Sequence, residues 1–95
     1  MPASPRITLL LFAFNQIELV EAAVRACFAQ EGESLDILLS DDASTDGTWE
    51  SLQTLAAGYR GPHQVRTRRN AVNLGVGAHY NAAVADCVGQ LVVTA

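Results

Sequence analysis

The chain has 95 residues, of which 49% are hydrophobic, and a formal net charge of -4 at pH 7. This size and composition predict one globular domain and exclude a disordered or fibrous protein. The acidic balance excludes nucleic acid as the main partner, because binding to phosphates requires a basic surface. The sequence shows neither signal-peptide features nor an apolar stretch of the ~18 residues that span a membrane. We therefore expect a cytoplasmic location, with a place at the membrane face left open for a longer protein.

The first two predicted elements are a buried strand and an amphipathic helix. Residues 7–14 form a continuous apolar run, which is typical of a strand covered on both faces of a parallel sheet. Asn15 and Glu18 then have the spacing of a capping box, and apolar residues recur on one helical face as far as Phe28. These signals predict a helix that starts at Asn15 and ends near Gln30.

A second strand and a second helix follow. Residues 35–40 form another apolar strand, which ends abruptly at the acidic pair Asp41 and Asp42. Residues 43–48 are rich in helix-capping side chains, and the apolar residues from Trp49 onward recur at helical spacing. We therefore predict a structural role for this turn and a second amphipathic helix after it.

The third predicted strand carries most of the positive charge. Residues 64–68 alternate weakly in polarity, and Arg66, Arg68 and Arg69 fall together here. We interpret these arginines as solvated charges that protect a sheet edge, with phosphate binding as the alternative.

A loop, a third helix and a fourth strand complete the pattern. Residues 70–77 predict the loop, apolar positions from Val76 to Cys87 predict the helix, and residues 91–94 predict the strand. We interpret Cys27 and Cys87 as buried thiols, because each lies in an apolar helical pattern and neither has a partner at metal-ligand spacing.

The alternation β-α-β-α-β-α-β predicts parallel strands joined by right-handed crossovers. The expected fold class is therefore α/β, with a three-layer Rossmann-like architecture and a parallel sheet of about four strands. The first strand is the most apolar and belongs in the centre, whereas the arginine-rich third strand suits an edge, so we predict the order 3-2-1-4. Strand four would then expose an edge through which the chain could form a homo-oligomer.

Polar residues concentrate where the predicted strands end. Phe14 and Asn15 follow the first strand, Asp41 and Asp42 follow the second, and the glycine-containing residues 73–77 follow the third. Ligands of open parallel sheets bind outside the carboxyl ends of the strands, where helix N-termini offer backbone N–H groups. The three loops therefore predict one pocket at this rim, large enough for a nucleoside.

Two alternatives stay open at this pocket. One of Asp41 and Asp42 is expected to accept hydrogen bonds from a ligand while the other holds the following turn; alternatively, both only cap the second helix. His79, at the start of the third helix, either faces the ligand or is a histidine of the helix surface.

Residues 38–48 (LLSDDASTDGT) closely resemble the signature vSDDgStDgT of family 2 glycosyltransferases. Residues 12–15 (FAFN) are similar to that family's PxYN segment, with Phe14 in place of the tyrosine. Residues 73–81 resemble its NxGxxxxxN segment, and residues 89–93 resemble the approach to its metal-binding motif. Many relatives have an arginine where this chain has Tyr80.

The resemblance implies that residues 1–95 are the N-terminal, nucleotide-sugar-binding part of a GT-A fold domain, truncated before the DxD-like motif. It implies transfer of a sugar with inversion from a nucleotide-diphosphate sugar, with UDP-sugar as one candidate, to an acceptor hydroxyl. It also implies Mg²⁺ or Mn²⁺ in the full-length enzyme, held by a motif beyond residue 95. We therefore expect this fragment to hold no metal and no catalytic residue, and to be inactive alone.

By the same resemblance, a set of rim residues is expected to bind the nucleotide. An aromatic residue would lie beside the base, an aspartate would recognise the base edge, and the third loop with its histidine would border the base and ribose. These residues are Phe14, Asn15, Asp41, Asp42, Asn73, Gly75 and His79. The alternative is a non-catalytic α/β remnant or a regulatory module that self-associates.

Overall fold

The computed structural model describes residues 7–87 and 91–94. Over these residues strands and helices alternate as predicted. The elements are β1 (Ile7–Ala13), α1 (Val20–Phe28), β2 (Asp36–Asp41), α2 (Thr48–Gly58), β3 (Gln64–Arg69), α3 (Val76–Ala85) and β4 (Leu91–Thr94). Each helix within these ranges is too short or too polar to span a bilayer.

The strands form a parallel sheet in the order β3-β2-β1-β4. β1 lies inside the sheet, with β2 on one side and the backbone of β4 on the other. The predicted α/β class with a parallel sheet is confirmed, and the neighbours of β1 explain its continuous apolar run. Pairing of the β4 edge with another chain stays a prediction. Residues 89 and 90, which begin the segment similar to the approach to a metal motif, lie outside the described residues.

The larger core lies between the sheet and helices α1 and α2. Alternate residues of β1 and β2 point to this face, and side chains from the two helices cover them. The buried members are Leu9, Leu11, Ala13, Val20, Val24, Cys27, Ile37, Leu39 and Leu52. Full burial of a leucine or valine side chain contributes about 1.5–3 kcal/mol relative to exposure, so this layer supplies much of the stability.

Helix α3 covers the opposite face of the sheet with a smaller core. Its hydrophobic members are Leu10, Leu38 and Ala83, with Phe12, Val84 and Cys87 partly buried against them. The predicted apolar face of α3 was wrong in its first turns, because Val76 is 91% exposed and Tyr80 is 43% exposed, whereas His79 is buried. Cys27 is buried as predicted, but Cys87 is only partly buried.

The predicted start of the first helix was also wrong. The helix spans Val20–Phe28, and Asn15 adopts a left-handed φ of 49° instead of a cap conformation. Ser44, Thr48 and Asp46, from the loop and helix after β2, accept hydrogen bonds from the backbone N–H groups of residues 15, 16 and 17 at 2.9, 2.9 and 3.1 Å. These long-range contacts replace the predicted capping box and hold the chain away from the helical path.

The prediction that the β3 arginines are solvated edge charges was right about the edge position of β3 and the exposure of Arg69, but it missed that the arginines are paired. Each of Arg66, Arg68 and Arg69 pairs with a carboxylate of another segment. Arg66 makes two parallel hydrogen bonds of 2.9 and 2.7 Å to Asp36, which is fully buried and also accepts a hydrogen bond from Thr8. A bidentate pair of this kind is specific in geometry, and a buried carboxylate without it would be uncompensated.

Replacing Arg66 with methionine should lower the free energy of unfolding by about 3 kcal/mol, because a buried carboxylate loses its paired cation. The double variant Asp36→Asn with Arg66→Met should regain much of this loss, since it buries no unpaired charge. Arg60→Met removes an exposed arginine bonded to carbonyl oxygens of its own turn and should cost less than about 0.5 kcal/mol. Urea denaturation followed by circular dichroism measures all three, and equal stability of Arg66→Met and Arg60→Met would contradict the pairing.

Candidate functional site

A cavity of about 460 Å³ opens at the carboxyl end of the sheet. It lies between the end of β1, the residue after β2 and the first turns of α3. Five of the seven residues predicted to bind a nucleotide line it, namely Phe14, Asp42, Asn73, Gly75 and His79. The structure therefore brings these residues together at one rim, in a cavity whose size is typical of small-molecule sites. That they bind a nucleotide stays a prediction.

Asn15 and Asp41 lie outside the lining of this cavity. The side-chain oxygen of Asn15 accepts a hydrogen bond of 2.8 Å from the backbone N–H of Thr45. Asp41 is fully buried and accepts hydrogen bonds of 2.9 and 2.5 Å from the N–H and hydroxyl of Ser44, with Arg69 at 3.6 Å. Both side chains therefore hold the loop after β2, and Asp41 is the aspartate that fixes the turn.

Asp42 lines the cavity and also fixes the loop that precedes α3. Its carboxylate accepts hydrogen bonds of 2.9, 2.8 and 2.9 Å from the side chain of Asn70 and the backbone N–H groups of Leu74 and Gly75. These fill three of the about four acceptor sites of a carboxylate, which leaves one without a hydrogen-bond partner among the described residues. Burial alone raises the pKa of Asp42, but the three N–H donors outweigh burial, so this pKa lies below its usual range. The carboxylate is therefore charged at neutral pH.

His79 is buried at the cavity wall, so its interpretation as a helix-surface histidine was wrong. Its Nε2 lies 2.7 Å from the hydroxyl oxygen of Ser40, and its ring meets Phe12 edge-on with the centroids 4.9 Å apart. Burial lowers the pKa of His79 and nearby Arg68 lowers it further, while two neighbouring carboxylates act in the opposite sense. The net direction is downward, so the imidazole is neutral at neutral pH.

Aromatic side chains form an apolar wall of the cavity. Phe14 is 45% exposed and Tyr80 is 43% exposed, and the ring centroid of Tyr80 lies 5.9 Å from that of Phe12. Such exposed aromatic surface suits stacking against a planar ring. The sequence prediction missed Phe12, Val76 and Tyr80 as lining residues. The signal for Phe12 was strand alternation, which places it on the same face of β1 as Leu10, toward α3.

The described residues do not form a metal site. Within residues 7–87 and 91–94, no group of three His, Cys, Asp or Glu side chains could hold a metal ion. The oxygens of Asp41 and Asp42 instead face N–H and O–H donors, and Asp41 also pairs with the guanidinium of Arg69. We therefore assign no metal-dependent step to these residues.

The sheet, its helices and the rim cavity define an α/β domain of the GT-A type. The structure is similar, with a TM-score of 0.84, to that of the mannosyltransferase PcManGT from Pyrobaculum calidifontis in complex with GDP-Man and Mn²⁺. The two chains are 23% identical, and the match covers 95% of this chain and 26% of that chain.

Residues 8–95 match the family Glycosyl transferase family 2, and the chain belongs to this family. It is also 37% identical over 79 residues to abequosyltransferase RfbV of Salmonella typhimurium, a match that covers 81% of this chain and 23% of that protein. The chain thus spans about a quarter of the length of each of these two relatives. The family resemblance inferred from the sequence motifs is confirmed.

Replacing Asp42 with alanine should lower the free energy of unfolding by about 1–3 kcal/mol, because the buried amide of Asn70 and the partly buried N–H groups of Leu74 and Gly75 lose their acceptor. Amide hydrogen exchange should show faster exchange at Leu74 and Gly75, whereas the N–H of Asn70, which donates to the Asp41 carbonyl, should stay protected. Asp46→Ala is the matched control, since it should affect the N–H groups of residues 17 and 48 instead. Unchanged exchange at Leu74 and Gly75 would contradict this role of Asp42.

The turn after Asp42 stores backbone strain that a glycine would relieve. Ala43 has a φ of 61°, and this left-handed conformation costs an L-residue about 1–2 kcal/mol. Ala43→Gly should therefore leave stability unchanged or raise it by up to about 1 kcal/mol, after allowance for the greater freedom of glycine in the unfolded chain. Ala26→Gly, on the exposed face of α1, should instead cost about 1 kcal/mol. Equal losses in the two variants, measured by urea denaturation, would show that Ala43 is unstrained.

Proposed function

We propose that this chain binds the nucleotide part of a nucleotide-diphosphate sugar in the rim cavity, and that it forms the donor site of an inverting sugar transferase. One observation carries this proposal: residues from three separate family-like segments, Phe14, Asp42 and the Asn73–His79 stretch, line one cavity. Membership of the glycosyl transferase family and similarity to two named sugar transferases support it.

The walls of the cavity suit a nucleoside. Phe14 and Tyr80 offer partly exposed ring surface for stacking of a base, an interaction worth about 1–3 kcal/mol per base. Asp42 is charged and has one acceptor site left for an N–H or O–H group of the ligand. GDP and UDP are both candidate nucleotides, because PcManGT was solved with GDP-Man and the family resemblance includes a UDP-sugar as one candidate donor.

The start of α3 suits the phosphates of the same ligand. Gly75 precedes this helix with a φ of 81° and, having no side chain, makes no cap hydrogen bond to the first turn, whereas Asp42 accepts the N–H of Gly75 itself. The helix start lies at the cavity, because Gly75 and Val76 line it, and the helix dipole favours negative charge beside its first backbone N–H groups. Base and diphosphate would then occupy adjacent parts of one site.

The chain is proposed to supply binding and orientation, while the transfer itself uses residues of a longer protein. Displacement at the anomeric carbon needs a base for the acceptor hydroxyl and a stabiliser for the leaving diphosphate. A divalent ion would fill the second role in the full-length enzyme, and the Mn²⁺ in the PcManGT complex supports this. Sugar transfer by the 95-residue chain alone would contradict the proposal that it lacks the catalytic groups.

A charge placed at the cavity should weaken nucleotide binding selectively. Val76→Glu puts a carboxylate at a lining position that is 91% exposed, so folding should be retained, but GDP and UDP should bind about tenfold more weakly through like-charge repulsion. Val76→Gln changes the size without the charge and should bind nearly as the wild type does. Val72→Glu adds the same charge at an exposed position outside the cavity lining and should have little effect.

Isothermal titration calorimetry with GDP, UDP, guanosine and uridine measures these affinities. The nucleosides, which carry no phosphate, should be much less sensitive to Val76→Glu than the diphosphates. Equal diphosphate affinity in Val76→Glu and Val72→Glu would place binding elsewhere, and failure of every nucleotide to bind the wild-type protein would contradict the proposed function.

A further inference from the structure

Ser40, Arg68 and His79 form a hydrogen-bonded relay beneath the cavity, on the face of the sheet that α3 covers. Ser40 is fully buried in β2, and Arg68 is its register partner on β3. One guanidinium nitrogen of Arg68, Nη1, donates to the Ser40 hydroxyl oxygen at 2.7 Å. The same oxygen lies 2.7 Å from Nε2 of His79, a residue of α3. The three side chains are therefore joined through a single hydroxyl.

The protons of this relay can be assigned by counting donors and acceptors. A guanidinium has N–H donors and no acceptor, so the Ser40 oxygen must accept from Arg68. The hydroxyl has one proton to donate, and within the described residues His79 Nε2 is the acceptor in reach. A proton on Nε2 would aim two donors at the same oxygen and leave the hydroxyl proton without an acceptor. Nε2 is therefore the acceptor, and neutral His79 carries its proton on Nδ1.

The protonated Nδ1 reaches the cavity. His79 belongs to the cavity lining, and its Nε2 is the ring nitrogen with a hydrogen-bond partner among the described residues. In the same part of the chain every buried side-chain nitrogen and oxygen has such a partner. Nδ1 therefore retains solvent-accessible surface on a residue that lines the cavity, where its N–H would be a donor for a ligand.

The other histidine of the chain has the opposite arrangement. Nδ1 of His63 accepts a hydrogen bond of 3.0 Å from the backbone N–H of Leu35, and Nε2 lies 2.8 Å from the carbonyl oxygen of Gln30. A carbonyl can only accept, so His63 carries its proton on Nε2. His63 is thus an internal reference for the common tautomer.

A second nitrogen of the Arg68 guanidinium is linked through Asn70 to Asp42, another polar residue of the cavity wall. This nitrogen, Nη2, donates to the side-chain oxygen of Asn70 at 2.7 Å, and the Asn70 amide donates to Asp42 at 2.9 Å. The side chain of Arg68 is only 17% exposed, and its salt bridge to Asp86 holds the guanidinium from the outer side. One cation therefore fixes both His79 and Asp42.

We propose that Arg68 is a positioning residue that, through Ser40, holds His79 as the Nδ1–H tautomer, so that His79 donates a hydrogen bond to an acceptor atom of the ligand in the cavity. The acceptor would be a carbonyl oxygen or ring nitrogen of the base, or a ribose oxygen. This ligand part rests on the proposed function, whereas the tautomer does not depend on any ligand.

Long-range proton–nitrogen NMR spectra of the imidazole rings test the tautomer directly in the wild-type protein at neutral pH. His79 should show a protonated Nδ1 and an unprotonated Nε2, and His63 should show the reverse, with a His63→Gln variant to assign the signals. Ser40→Ala removes the proton donor to Nε2 and should shift His79 to the Nε2–H tautomer. Asp86→Asn, the matched control, removes the negative charge that pairs with Arg68 from the outer side and should leave the tautomer unchanged.

Calorimetry with GDP and UDP tests the ligand part on the same proteins. Ser40→Ala and Arg68→Met should weaken the binding of the preferred nucleotide by about three- to tenfold, and Asp86→Asn should change it by less than about twofold. A wild-type His79 protonated on Nε2 would overturn the relay, and this result needs no variant to fold. If wild-type His79 has the predicted tautomer but Ser40→Ala binds the nucleotide as tightly as the wild type does, the donor role of His79 is wrong. If neither nucleotide binds the wild-type protein, both the donor role of His79 and the proposed function are wrong. The NMR spectra would still test the predicted tautomer of His79.

Discussion

The hydrogen bonds made by two adjacent carboxylates at the end of β2 hold the whole rim together. Asp41 fixes its own turn, and side chains of that turn and of the helix start after it bind the backbone N–H groups of residues 15–17 after β1. Asp42 binds the N–H groups of Leu74 and Gly75 after β3. Adjacent residues of an extended chain point in opposite directions, which lets neighbouring carboxylates serve different loops. Three loops from three strands are therefore joined at one point, and the cavity lies where they meet.

The class of the fold could be predicted because it follows from local patterns. The apolar run over residues 7–13 and the fully buried β2 required cover on both faces, and the helices between them left parallel pairing as the solution. The position of the site followed from the same topology, since polar residues at the carboxyl ends of parallel strands must share an edge. These steps needed the order of the elements and not the details of their contacts.

The features that could not be predicted depend on contacts between distant residues. Asn15 has the sequence of a helix cap, but side chains about thirty positions away hold the backbone around it. Arg66 and Arg68 look like edge charges, but strand alternation points both to the face that α3 covers, where Asp36 and Asp86 pair with them. Whether an arginine on an edge strand is solvated or paired depends on which carboxylate the register and the helix bring beside it, and neither can be read from spacing alone.

One face of the sheet contributes mainly to stability, and the other carries the polar groups that reach the cavity. The face under α1 and α2 is apolar, whereas the face under α3 combines a small core with a network of buried polar groups that ends at Asp42 and His79. Because most hydrogen-bonding positions of these two residues are already filled, a ligand can engage only the remaining acceptor site of Asp42 and the remaining nitrogen of His79. Side chains held in this way lose little freedom when a ligand binds, so less of the binding energy is lost in ordering them. Part of the selectivity at this site would then come from the match between the ligand and these two fixed polar positions, with the aromatic wall accepting any planar ring.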